Sequence, residues 1–149
     1  MFKFLAGLLG DPAPHPDPLT ADDAEMALAA LLVRLARSDD HYGDAERAHI
    51  ERVLAMRAGL SPAEAQTLRM EAETVEAEAP DTVRFTRALK DKIAYEDRIG
   101  VIEAMWQVAL ADNARAPEED ALIRLAANLL GVSDRDSGLA RKRVAAQRG

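Results

Sequence analysis

Apolar residues recur at helical spacing along most of the chain, and no stretch sustains the apolar–polar alternation that is typical of strands. From Ala24 to Ala36 only Glu25 and Arg34 interrupt an apolar run, which predicts a central helix that is buried nearly all round. A second central helix is predicted from about Tyr95 to Ala111. The sequence therefore predicts an all-α fold.

Capping residues and helix breakers divide this pattern into seven predicted helices. The clearest start is Ser61-Pro62-Ala63-Glu64, which combines an N-cap serine, a proline at the first helical position and a capping-box glutamate. The predicted helices run from Thr20 to about Arg37, Gly43 to before Gly59, Ser61 to before Pro80, Asp81 to about Ile93, Tyr95 to about Ala111, Pro117 to Gly131, and from Ser133 onward.

Side-chain environments follow from the same pattern. Phe85 and Trp106 are predicted to lie in the core, and residues 71–81, with five acidic residues and no basic one, to form a solvated helix face. In the sixth helix the side chains predicted to face inward are Leu122, Ile123, Leu125, Leu129 and Leu130.

The N-terminal region differs from the rest of the chain. Residues 1–10 are apolar apart from Lys3, but they are too few to cross a bilayer, which needs about 20 residues. Residues 11–18 hold four prolines and predict an extended linker. We therefore expect an apolar arm and linker over residues 1–18 and one helical domain over residues 19–149. Two interpretations of the arm stay open: packing on the domain, or weak contact of residues 1–9 with a membrane surface.

The composition and net charge of the chain argue against several classes of function. The chain has 149 residues, 48% of them apolar, which fits one globular domain. Its formal charge of -7 argues against nucleic-acid binding, because a phosphate backbone must be met by excess cations. The sequence contains no cysteine, which excludes disulfides and thiolate zinc sites and agrees with an expected cytoplasmic location. The partner classes left open are a basic protein and a membrane-associated protein, and the sequence predicts no oligomeric state.

An internal repeat relates the two halves of the chain. An offset of 73 residues places several residues of the first half over identical residues of the second, among them Asp39 over Asp112, Glu46 over Glu119, and Ile50 over Ile123. After one residue of slippage, Gly59-Leu60-Ser61 matches Gly131-Val132-Ser133. Each half is predicted to contain a buried helix, an acidic loop, a second helix, a glycine turn and a third helix.

The repeated acidic residues support two interpretations. In the first, the loop aspartates accept loop N–H groups, while Glu46 and Glu119 cap the helices that follow. In the second, the loops bind Ca²⁺ or another hard divalent cation, which prefers carboxylate, carbonyl and water oxygens. The candidate metal ligands are Asp39, Asp44 and Glu46 from the first loop and Asp112, Glu118 and Glu119 from the second. Their spacing is not that of an EF-hand, whose last glutamate lies much farther from its first aspartate.

Two copies of Ala-x-x-Asp followed by Glu-x-x-x-Ile, over residues 36–50 and 109–123, resemble the TerB (tellurite-resistance) domain family. The same domain also occurs ahead of the J-domain in a membrane-anchored bacterial co-chaperone. The resemblance covers about residues 20 to 146 and implies a compact bundle of about seven helices whose two halves are related by a pseudo-two-fold axis. It also implies an acidic cluster proposed to bind metal, and a stress-response or interaction role without established catalysis. Family members usually have Asp-Gly in the loop, whereas here Asp40 follows Asp39 and Asn113 follows Asp112; Asp and Asn also tolerate the left-handed backbone that glycine would supply.

No pattern in the chain predicts catalysis. There is no nucleophile–base pair and no glycine-rich phosphate loop. Glu46 and His49 have the Glu-x-x-His spacing of di-iron bundles, but the second copy of the repeat lacks the histidine. We therefore expect a non-enzymatic binding module of the stress response with a divalent-cation site. The alternative is an interaction or scaffold domain whose acidic loops are structural or bind a basic partner.

Overall fold

The computed structural model describes residues 23–38, 42–111 and 117–148, and these residues form helices and the turns that join them, with no strand among them. The seven helices are α1 (Ala24–Arg37), α2 (Asp44–Ala58), α3 (Pro62–Glu78), α4 (Val83–Lys92), α5 (Tyr95–Ala109), α6 (Pro117–Leu130) and α7 (Asp134–Arg148). The predicted all-α bundle of seven helices is confirmed. The predicted arm and linker over residues 1–18, the Thr20 cap and the loop residues Asp39 and Asp112 lie outside the described ranges.

The central position of α1 follows from its composition. Eleven of its fourteen residues are buried, and it packs against α3, α4 and α5 on different sides. Only Glu25, Arg34 and Arg37 keep part of their surface in solvent. The helix begins later than the predicted Thr20 cap, because Asp23 has an extended backbone and occupies the N-cap position. Apolar side chains all round a helix require neighbours all round it, which places α1 in the middle of the bundle.

Local signals fix the bounds of α2 and α3. α2 ends at Gly59, whose φ of 68° is in the left-handed region that glycine adopts without steric cost. α3 then begins with a complete capping box: the Ser61 hydroxyl accepts from the Glu64 backbone N–H at 3.1 Å, and the Glu64 carboxylate accepts from the Ser61 N–H at 2.8 Å. The predicted bounds of both helices are confirmed.

α4 joins the two halves of the bundle. The Asp81 carboxylate accepts the Val83 N–H at 2.9 Å, which is the capping contact predicted for it, although Thr82 occupies the N-cap position. Phe85 and Leu89 are fully buried, as predicted for Phe85. The helix stops at Lys92, so that Ile93 enters the core from an extended backbone.

The second half is built around α5, whose buried residues include the predicted core residue Trp106. In α6 the buried side chains are Glu119, Ile123, Ala126, Ala127 and Leu130. The prediction that Leu125 faces inward is wrong: it is 46% exposed, because residues 123, 126, 127 and 130 already form the buried stripe and position 125 lies outside it. Gly131 ends α6 with a φ of 75°, and the Ser133 hydroxyl accepts the Asp136 N–H at 3.0 Å at the start of α7.

Within the described ranges, no helix combines the length and apolar content needed to cross a membrane.

Candidate functional site

The first acidic loop leads into α2, where two of the predicted metal ligands are described. The Glu46 carboxylate accepts the Gly43 backbone N–H at 2.8 Å, which is the capping contact of the first interpretation. The Asp44 carboxylate is fully exposed and lies 3.2 Å from the Arg47 guanidinium, one helical turn away. Glu46 therefore has a structural role at the helix start, whereas Asp44 points into solvent.

Arginine side chains border the same loop. Both Arg37 and Arg47 stack on the ring of Tyr42, the first described residue after the loop, at 5.1 and 4.8 Å from its centre. The Tyr42 hydroxyl donates to Glu73, and burial together with this hydrogen bond raises the pKa of Tyr42 to about 12. Arg37 pairs with Glu76, and Arg47 pairs with Asp44 and lies 3.6 Å from Glu73.

Glu73 belongs to a wider ion network on the outer side of α3. Arg69 donates to both Glu51 and Glu73 and thereby ties α2 to α3. Burial by itself would raise the pKa of Glu73, but the hydrogen bonds from Tyr42 and Arg69 and the positive charges of Arg69 and Arg47 outweigh it and lower that pKa. Glu73 is therefore held in its charged form by its neighbours.

The prediction that residues 71–81 form a solvated face is wrong at Glu76. This carboxylate is 8% exposed and binds two guanidinium groups of α1, Arg34 at 2.9 Å and Arg37 at 2.6 Å. Arg34 also donates to the backbone carbonyls of Glu76 and Ala79, which lie at the end of α3. The acidic run contains no base of its own, and the structure pairs it with Arg69 earlier in α3 and with arginines of α1 and α2.

The second acidic loop leads into α6. Glu118 is exposed in the first turn, whereas Glu119 is 6% exposed and lies in the body of the bundle. Beside this turn is a polar depression of about 560 Å³, lined in part by Asp120, Asp134 and Arg141. Arg141 stacks on Trp106 at 5.4 Å from its ring.

These positions do not assemble a metal centre from the described residues. Across residues 23–38, 42–111 and 117–148, no group of three His, Cys, Asp or Glu side chains is placed so that it could hold a metal ion. Of the six predicted ligands, Asp44, Glu46, Glu118 and Glu119 are described, while Asp39 and Asp112 are not. The cation site therefore stays a prediction that depends on the two loop aspartates.

A second surface was not predicted from the sequence: a groove of about 730 Å³ between α2, α5 and α7, hereafter the α2–α7 groove. Its apolar lining includes Val53, Met56 and Val144, and Met56 is 65% exposed. Its polar lining comes from His49, Arg52, Gln107 and Gln147, with no carboxylate among the lining side chains that the structure describes. The groove is thus an apolar surface with a neutral to basic rim on an acidic chain.

Ion pairs fix the width of this groove. Glu103 of α5 binds Arg57 of α2 at 3.1 Å and Arg143 of α7 at 2.7 Å, so that one carboxylate holds both walls. Arg57 also donates to Gln107 at 3.1 Å. These contacts join residues of the protein itself, so the groove does not need a partner in order to form.

One sequence signal could have revealed the groove. α2 has more apolar residues than its buried stripe of Ile50, Val53, Leu54 and Ala58 requires. Ala55 and Met56 belong to this surplus, and both line the groove. A helix with an apolar residue outside its buried stripe presents that residue to solvent or to a partner.

Comparison with known families gives one match. The family described as tellurite resistance protein TerB matches residues 25–142. No curated protein and no solved structure matches the chain.

Proposed function

Because the chain belongs to the TerB family of tellurite resistance proteins, we propose that it is a non-enzymatic binding module of a tellurite- or metal-type stress response. We infer that it acts by binding another protein through the α2–α7 groove. The observation that carries this choice is the exposed, mostly apolar lining of the groove around Met56.

The distribution of charge supports protein binding. Glu46, Glu73 and Glu76 are all engaged in contacts within the protein, which favours a structural role for much of the acidic surface. A contiguous apolar surface framed by polar side chains is typical of interaction sites. This favours the interaction module over the cation-binding module.

A substitution within the groove tests the proposal in cells. Met56→Asp puts a charge into the apolar groove, and Met70→Asp is the matched control, since Met70 is 53% exposed on α3 and does not line the groove. In cells that carry the gene, we expect Met56→Asp to lower tellurite tolerance as far as deletion of the gene does. Met70→Asp should leave tolerance within about twofold of the parent. Circular dichroism of both purified variants checks that each is folded.

Two results would refute the proposal. If deletion of the gene leaves tellurite tolerance unchanged, the stress role is wrong. If deletion sensitises the cells but Met56→Asp does not, the groove is not the binding surface.

The divalent-cation site is the second candidate function. It is supported by the repeated acidic loops and by the exposure of Asp44 and Glu118, whose carboxylates are open to a cation from solvent. The binding of Ca²⁺ to the native state would raise the melting temperature as its concentration passes the dissociation constant.

Calcium titration tests this second candidate. Chelator-treated protein is titrated with Ca²⁺ up to millimolar concentration in a calorimeter and followed by thermal melting. We expect heat and a rise of a few degrees in the melting temperature for the parent, and neither for the Asp39→Asn, Asp112→Asn double variant. The absence of both signals in the parent would eliminate the site.

A further inference from the structure

The α2–α7 groove has the dimensions of a helix-binding site. Its α2 wall runs from His49 to Met56, about 10 Å along the helix axis at a rise of about 1.5 Å per residue. The contacts of Glu103 with Arg57 and Arg143 link the α2 and α7 walls to α5. An amphipathic helix of two to three turns fits such a site through apolar residues on one of its faces.

The N-terminal arm, residues 1–10, has the composition of such an occupant. It contains six large apolar side chains and a single charged one, Lys3. Phe2, Leu5 and Leu9 follow the i, i+3, i+7 spacing by which a helix anchors in a groove. As a helix, ten residues would extend about 15 Å, enough to cover the α2 wall.

The segment that joins the arm to α1 is long enough for the arm to reach the groove. α1 begins at Ala24, and Glu25 lines a depression together with Leu60 and Leu68, beside the turn that follows α2. Leu60 is four residues beyond Met56, so the start of α1 lies near the turn that follows the α2 wall. Residues 11–22 would span roughly 37 Å at about 3.1 Å per residue, which exceeds the ~30 Å diameter of a small domain.

We propose that residues 1–10 dock in the α2–α7 groove of their own chain and cover it until a partner displaces them. A tether of this length gives the arm an effective concentration of about millimolar, so that even a weak contact keeps the groove filled. This regulation rests on the proposed function of the groove, whereas the docking of the arm requires no partner.

Disulfide trapping in the full chain tests the docking directly, because the protein has no cysteine of its own. Leu5→Cys is combined with Met56→Cys, and, as a matched control, with Met70→Cys on a surface outside the groove. Under mild oxidation at low protein concentration, we expect the Met56 pair to form an intrachain disulfide at least fivefold faster than the Met70 pair. Equal rates for the two pairs, or disulfides only between chains, would overturn the proposal.

A second measurement tests whether the arm covers the groove. In the full chain, Leu5→Asp with Leu8→Asp should raise the fluorescence of a bound apolar dye several-fold, and adding Met56→Asp should cancel that rise. No rise would contradict the proposal. Selective trapping at Met56 in a protein whose Met56→Asp variant keeps full tellurite tolerance would support the docked arm and refute the proposed function.

Discussion

At the scale of single residues, the partners of the charged side chains determine what those side chains do. Glu76 belongs to an acidic run without a base, yet it is buried between Arg34 and Arg37. Glu46 is a predicted metal ligand, yet its carboxylate caps α2 by accepting the Gly43 N–H. Each role depends on the distance between the carboxylate and its partner, which the backbone positions of the two residues set. For Glu46 the partner is three residues away and the cap was foreseen, whereas for Glu76 the partners are about forty residues away and were not.

Removal of the Glu76 charge tests how much its ion pairs with Arg34 and Arg37 contribute to stability. Glu76→Gln should destabilise the protein by about 2–4 kcal/mol, because it leaves the largely buried Arg34 without its counter-ion. Urea unfolding followed by circular dichroism measures the change. Glu78→Gln, two residues away on the exposed side of α3, is the control and should change stability by less than about 0.5 kcal/mol. Equal losses in the two variants would show that Arg34 does not need the carboxylate.

At the scale of helices, the sequence predicted the helix ends correctly where the capping contact joins residues only a few positions apart. The Ser61–Glu64 capping box and the left-handed glycine at position 59 define their helix ends through contacts within a few residues. The start of α1 and the exposure of Leu125 were predicted incorrectly. The stripe of a helix that becomes buried depends on where its neighbours lie, and periodicity alone does not distinguish between adjacent stripes.

Two glycines of the second half should respond in opposite ways to the same substitution. Gly131→Ala should lower stability by about 1 kcal/mol or more, since a φ of 75° is unfavourable for a residue with a Cβ. Gly138→Ala should raise stability by about 0.5–1 kcal/mol, because it lies within α7 and its Cβ would meet no atom within 4 Å. Thermal melting of the two variants beside the parent measures both changes. A gain from Gly131→Ala would mean that the turn after α6 can take another conformation.

At the scale of the whole molecule, charge and apolar surface are arranged differently from their order in the sequence. Residues 39–46 and 112–120 carry charges of -4 and -3, which together equal the formal net charge of -7. The rest of the chain is neutral by count, and the structure pairs many of its charges across helices, as at Glu51, Glu73 and Glu103. The α2–α7 groove is assembled from three helices that are far apart in sequence, and its lining within the described ranges contains no carboxylate.

The sequence alone determined the all-α class, the seven helices of the described ranges, most of their ends and the membership of the family, because these depend on periodicity, on capping within a few residues and on motifs. Tertiary structure decided which carboxylates are paired, which stripe of α6 is buried, and that α2, α5 and α7 enclose a groove around Met56. The physical reason is the separation in sequence of the residues that make each contact. A capping contact joins residues three positions apart. An ion pair between two helices, or a groove lined by several helices, forms only when those helices are packed against one another.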